Sequence, residues 1–237
     1  MSVLFASRQL SAGCFDAVRD LALGLRSGSV EEIDSELGAR AGVRFVPQEP
    51  AARRRRGQEL VADDLYEVRI AGRREVPTRS GNLHDLCNAL AWAAFPASKW
   101  ALTCLVAAAQ RRRVPTGARR LPGARTPAHD RLALIDEGGV LVAGAADSDA
   151  REELSSGRAR ALVFGHALVE HALTGRSAVT GAALLLPVDP TGSIDDLRRR
   201  LDDALAAALT RDGGWPAEAG LARIPLAALQ ARATNRG

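Results

Sequence analysis

The sequence predicts an α/β (α+β) fold, a mixed sheet with hairpins packed by several helices in a single compact domain over 1–237. Three observations lead there. Residues 182–188 form a continuous apolar run suited to a strand covered on both faces. Ile194, Leu197, Leu201, Leu205 and Leu209 fall at helical spacing behind a Ser193 cap. Apolar residues make up 46% and charged residues 25% of the 237 positions, a globular balance with enough chain for a substantial core and against extended disorder.

Within that domain the pattern divides into an N-terminal helical and strand region over 1–47, a motif-bearing core over 62–190, and a C-terminal helix and tail over 193–237. Phe15, Val18, Leu21, Leu23 and Leu25 are compatible with an amphipathic helix stopped at Ser27-Gly28, and Val30, Ile33 and Leu37 mark a second. Val43 to Pro47 alternates like a short strand, and Gln48 to Gln58, with Pro50 and four consecutive arginines, reads as a loop. Tyr66 to Ile70 and Arg74 to Pro77 flank a turn at Ala71-Gly72, the pattern of a β-hairpin. Asn82 is a helix cap with Asp85 in the first turn, so a helix is expected to about Phe95, before Pro96, and another from Ser98 to Arg113. Arg131 to Asp136 and Val140 to Ala143 around Glu137-Gly138-Gly139 give a second hairpin pattern. Ala161 to Phe164 is a strand leading through Gly165 into a helix from His166 to about Leu173.

Charge supplies little. Lys+Arg exceeds Asp+Glu by 32 to 28, and the arginine runs at 53–56, 111–113 with Arg119 and Arg120, and 198–200 fit solvated faces better than a nucleic-acid surface. Aromatics are 4%, too few to build a base-stacking strand around them. Lys99 is the only lysine in the chain. Cys14, Cys87 and Cys104 lack zinc-finger or Cys-x-x-Cys spacing and are expected to be reduced and buried. Without a signal-peptide pattern or a membrane-length apolar stretch, a cytoplasmic protein with no membrane partner is expected.

The chemistry concentrates in Asn82 to Trp100. On a helix starting near Asn82, His84, Asn88 and Trp92 share one stripe, with Asp85 on its flank. The other positions are nearly all apolar, so this polar ridge is costly unless each member finds a partner. A histidine held by a carboxylate suits a general base or a metal ligand, while a first-turn capping network would use the same residues structurally. The second element is Phe164 to Glu170, where His166 and Glu170 lie one helical turn apart and can either bind one metal ion or simply pair. His171 points elsewhere by roughly 100°. Arg79 and Lys99 bracket the ridge and could meet an anionic group, and Asp136 ends the segment at 131–136.

These motifs resemble a bacterial family catalogued as domain of unknown function three thousand and twenty-five. The resemblance is carried by Val76-Pro77-Thr78-Arg79, Asn82, His84-Asp85, Asn88-Ala89-Leu90, Trp92, Phe95-Pro96, Lys99, Arg131-Leu132, Asp136-Glu137 and Phe164 to Leu168 with Glu170, across about Tyr66 to Val188. It implies that His84, Asp85, Asn88, Lys99, Asp136, His166 and Glu170 belong to one site, and it implies no reaction. Leu83 stands where the family pattern usually has an aromatic residue, and Ser80 where proline is common.

The leading expectation is therefore a metal-dependent or acid/base hydrolase. His84, Asp85, Asn88 and Lys99 would be its catalytic residues, Arg79 and Trp92 would bind a small anionic substrate, and His84, Asp85, His166, Glu170 and Asp136 would hold a divalent metal ion. A shared centre requires His84 within about 12 Å of His166. The alternatives are a non-catalytic binding or scaffold protein, in which the same residues form a buried network, and a nucleic-acid-processing or nucleic-acid-binding protein that uses the arginine runs.

Overall fold

The computed structural model describes residues 4–49, 62–114, 126–145, 149–176, 178–211 and 221–231. The chain opens with a 3-10 turn at Gly13–Phe15 and a short helix α1 (Arg19–Leu23) in place of the continuous helix expected over 15–25. Helix α2 (Val30–Ile33) is capped by the Ser29 hydroxyl and runs through a wider π segment, Asp34–Gly38, into α3 (Ala39–Ala41). Glu32 reaches back and accepts from the backbone amides of Arg26, Ser27 and Gly28, which fastens the turn before α2.

Strand β1 (Arg44–Pro47) pairs in parallel with β2 (Glu75–Thr78). Between them lies helix α4 (Tyr66–Arg73), not the first arm of a hairpin. Tyr66, Val68 and Ile70 alternate as a strand would, but the segment packs as a helix on α6 (Pro96–Arg113), and Arg74 ends it in the left-handed region at φ 55°. Packing against a neighbouring helix overrides the weak alternation, as it commonly does for short segments.

Helix α5 (Leu83–Ala94) begins where the Asn82 side chain accepts from the Asp85 amide. It breaks at Phe95, and α6 departs at 113° with Pro96 in its first turn. Asp202, from the distant helix α10 (Ile194–Thr210), accepts from the Ala97 and Ser98 amides at 3.0 and 2.7 Å and so caps α6 from outside. Among the described residues, no single helix is long and apolar enough to cross a membrane.

Helix α7 (Pro127–Gly138) replaces the expected strand at 131–136. The Thr126 hydroxyl accepts from the His129 amide and Pro127 occupies the first turn, a start pattern that outweighs the apolar run and the Gly-Gly turn. The chain then enters the larger sheet. Its strand order is β4 (Arg160–Val163), β3 (Gly139–Gly144), β5 (Thr180–Pro187), β6 (Ala222–Pro225). β3 runs parallel to β5, while β4 and β6 are antiparallel edges, so the sheet is mixed as expected. Helices, not hairpin turns, join its first three strands: α8 (Ala150–Ser155) links β3 to β4, and α9 (His166–Leu173) links β4 to β5. β3 is buried at every position, with α10 and α7 packed on it. In the C-terminal tail, α11 (Leu226–Gln230) follows β6 directly.

Two glycines set the distance between α7 and α9. The amides of Phe164 and Gly165 both donate to the Gly139 carbonyl, at 3.0 and 2.9 Å. A Cβ on Gly165 would lie 2.5 Å from the Glu137 carbonyl oxygen and 2.6 Å from Gly138 N. The two backbones touch there, and His166 is the next residue. Gly165→Ala is accordingly expected to cost about 1–3 kcal/mol, because rigid backbone must shift; wild-type stability in a denaturant titration would contradict that close contact.

Burial pushes the Glu32 carboxyl up, but the amides of Ser27, Gly28 and Arg26 and the Ser27 hydroxyl more than offset it and hold its pKa down to about 2. The folded value lies below the ordinary 4.5, so this stabilisation is complete above 4.5 and is lost as pH falls toward 2. Glu32→Gln should remove that portion of the acid slope in thermal melts. An unchanged slope would mean that the turn is held by other contacts.

Candidate functional site

The His84, Asn88, Trp92 stripe of α5 faces the first turn of α9 and the last turn of α7. His84 Nε2 lies 3.2 Å from His166 Nε2, with the rings edge to face at 74° and their centroids 4.7 Å apart. The 12 Å condition for convergence is met with a wide margin. His84 Nδ1 is 2.8 Å from Glu170 Oε2, and His166 Nδ1 is 2.9 Å from the backbone carbonyl of Asp136. That carbonyl is available because it belongs to the last turn of α7, where helix carbonyls lack intrahelical donors.

These contacts fix the protons. A carbonyl only accepts, so His166 Nδ1 carries hydrogen, and burial, followed by the Lys99 charge, lowers the His166 pKa to about 4. The ring is neutral near pH 7, and its Nε2 is a bare acceptor. His84 Nε2 must then donate across the 3.2 Å contact. The His84–Glu170 contact needs a hydrogen of its own, so with both contacts made as hydrogen bonds this pair shares one proton more than a neutral histidine beside an ionised glutamate carries. The unit Glu170–His84–His166–Asp136 is a proton-holding chain.

Lys99 anchors its far side. Its side chain is 3% exposed, and its ammonium donates to Asp136 Oδ1 at 2.5 Å and to Asn88 Oδ1 at 2.9 Å, with the Trp92 ring centroid 5.5 Å away. Burial pushes the Asp136 carboxyl up, yet the Lys99 charge and hydrogen bond outweigh it and hold it below the usual carboxylate range. Asn88 spends its oxygen on Lys99, which leaves its NH₂ as a donor.

Next to this chain is a cavity of about 140 Å³ whose wall includes Tyr66, Asn88, Trp92, Lys99, Gln110 and Asp136. That is comparable to the roughly 150 Å³ cavity that admits a benzene-sized molecule. Burial first, then the charges of Asp85 and Asp136, raises the Tyr66 phenol well above its ordinary range, although the residue as a whole is 43% exposed. Gln110 gives its NH₂ to Glu67 at 2.7 Å, and its buried oxygen has no hydrogen-bond partner among the described residues.

The structure brings together His84, Asn88, Lys99, Asp136, His166 and Glu170, with Trp92 in the cavity wall. It separates Asp85 and Arg79 from them. Asp85 receives the Arg79 backbone amide, Nε and Nη2, each at 2.8 Å. Burial pushes the Asp85 carboxyl up and the Arg79 contacts pull it below the usual range, so this pair fastens the start of α5. The five-residue metal centre expected from sequence does not assemble. Asp85 faces Arg79, while Glu170 and Asp136 stand behind the histidines on their Nδ1 sides. Among the described residues, no group of three or more His, Cys, Asp or Glu side chains is placed to hold a metal ion. Lys99, expected to meet an anionic substrate, is already bonded to Asp136.

Sequence reasoning missed Tyr66 and His129 in the cavity wall, because α4 and α7 were read as strands, and it missed Gln110 because only the packing of α4 on the correctly expected α6 brings that residue to the cavity. The Thr126-Pro127 helix start was the available signal for His129. Of the arginine runs, 53–56 and Arg119 and Arg120 lie outside the described residues. Arg198 and Arg200 are consumed internally, on the Ala17 carbonyl and Asp195, and on the Asp189 and Thr191 carbonyls.

Residues 43–232 match the family described as "Protein of unknown function (DUF3025)". The chain belongs to that family. Comparison with curated proteins and with solved structures returns no significant match. The family match covers every residue of the proton-holding chain and of the cavity wall.

Lys99 and Asp136 are each other's main compensation. Lys99→Met is expected to destabilise the protein by about 3–5 kcal/mol by leaving the Asp136 carboxylate uncompensated, and Lys99→Met/Asp136→Asn should recover part of that loss. Denaturant titrations of the four forms test this, and losses that merely add would sink it.

Proposed function

We propose that this protein is an acid/base enzyme of the hydrolytic type, with the His84–His166 pair as its proton-transfer centre. The observation that carries the reading is the Glu170–His84–His166–Asp136 chain, hydrogen-bonded throughout yet left accessible at one end, where the His84 side chain is 44% exposed. A scaffold reading calls for the same residues sealed in the core and remote from a cavity. The exposure of His84 and the presence of Asn88, Lys99 and Asp136 in a cavity wall count against it.

Hydrolysis moves one proton from water to a leaving group. With the proton between the two Nε2 atoms absent, their lone pairs converge on one point and can take a proton from an attacking water. With that proton in place, His84 Nε2–H is a donor to the departing group. Glu170 keeps the His84 ring oriented and offsets the positive charge that passes through it, and His166, held by the Asp136 carbonyl, offers the second nitrogen. Asn88, one turn along α5, has its NH₂ free to donate to the substrate oxygen on which negative charge develops, and Lys99 holds the amide in that orientation.

The test is turnover of a panel of chromogenic carboxylic, phosphoric and amide substrates by the parent, His84→Gln and Glu170→Gln proteins. His84→Gln should lower kcat/KM by on the order of 10²–10⁴, as for loss of a general acid/base, with little change in Tm because the side chain is half exposed. Equal rates in parent and variant, or no turnover of any panel member by the parent, would sink the reading.

A further inference from the structure

We propose that the gap between His84 Nε2 and His166 Nε2 is a binding site for a divalent first-row transition-metal ion of the zinc or copper class. The inference rests on the same histidine pair as the hydrolytic reading, but it does not require that reaction.

Geometry comes first. An ion ~2.0–2.1 Å from each nitrogen, with the nitrogens 3.2 Å apart, subtends an N–metal–N angle of roughly 100°, close to tetrahedral. The outer contacts are also those of metal-binding histidines, whose second nitrogen donates to a carboxylate or a backbone carbonyl. Here Glu170 Oε2 serves one ring at 2.8 Å and the Asp136 carbonyl the other at 2.9 Å. Both Nδ1 atoms are thereby committed, which leaves the two Nε2 atoms facing each other across 3.2 Å.

The proton balance supports the same point. Two bare nitrogens facing each other repel, so a positive species between them is favoured. Without metal it is one proton. With metal, that proton leaves to solvent, His166 keeps its Nδ1 hydrogen toward Asp136, and His84 keeps its own toward Glu170. One ion therefore displaces one proton. Imidazole donors favour zinc, copper and nickel over magnesium or calcium. With no third His, Cys, Asp or Glu side chain in reach among the described residues, the remaining coordination positions go to water or substrate, on the open side of His84. Catalytic ions keep such positions and structural ions do not.

Protein stripped with EDTA and titrated calorimetrically with Zn²⁺ should bind one ion. His84→Ala and His166→Ala should each abolish binding. Glu170→Gln should weaken it about 10–100-fold through loss of the outer contact, and His171→Ala should leave it unchanged. Co²⁺ in place of zinc should give the visible absorption of a near-tetrahedral centre. Circular dichroism confirms that each variant is folded, and Glu170→Gln keeps the test decisive should His166→Ala fail to fold. Binding that survives both histidine substitutions, or no binding by the parent up to zinc on the order of 1 mM, would overturn the site. Turnover by the stripped protein alongside failed zinc binding would remove the metal and leave the acid/base reading standing.

Discussion

A lysine ammonium buried to 3% exposure must have a compensating charge, and in this protein the charge comes from Asp136 on a different helix. That ion pair is the constraint on which the site depends. Lys99 projects from α6, its amide partner Asn88 from α5 and its carboxylate partner from the last turn of α7, so three helices meet at one nitrogen. Moving any of them would strand a charge. With α7 held there, the Asp136 carbonyl is in place to accept from His166, so the ion pair also positions a residue that bonds to the backbone of Asp136.

The second support is steric. Gly165 allows the start of α9 to lie directly on the Glu137–Gly138 backbone, where a β-carbon would be only 2.5 Å from a carbonyl oxygen. From the other side, Asp202 caps α6, and the turn at Phe95 converts the direction of α5 into that of α6. The histidines meet because the elements carrying them are fixed at both ends, one by electrostatics and the other by close backbone contact.

The sequence made the polar ridge readable because α5 obeys local rules: Asn82 caps it, Asp85 suits its first turn, and the i, i+4 spacing puts His84, Asn88 and Trp92 on one stripe. His166 and Glu170 were readable for the same reason on α9. Two things were not. The stretches at 66–70 and 131–136 carry strand-like apolar runs, and only packing against α6, or the Thr126-Pro127 start, makes them helices. The role of Asp136 was hidden as well, since its backbone carbonyl does the orienting, and a free carbonyl follows from a helix end that a strand reading does not contain. Asp85 shows the opposite limit. Its neighbour in sequence, His84, enters the site, while the rotation of about 100° between adjacent helical positions turns Asp85 to Arg79.

Both histidines sit in the first turns of helices, His84 on α5 and His166 on α9, where the helix dipole disfavours added positive charge. The surrounding side chains compensate. Glu170 and Asp136 contribute two negative charges and Lys99 one positive, so with the single extra proton the cluster is neutral. A divalent ion in place of that proton would leave the cluster one unit positive, at two helix N-termini and beside the half-exposed edge of His84. An anionic ligand on such an ion would restore the balance. Lys99 and Arg79 are occupied by Asp136 and Asp85, so the attraction for an anionic substrate expected from those two cations would come instead from the position between the histidine nitrogens.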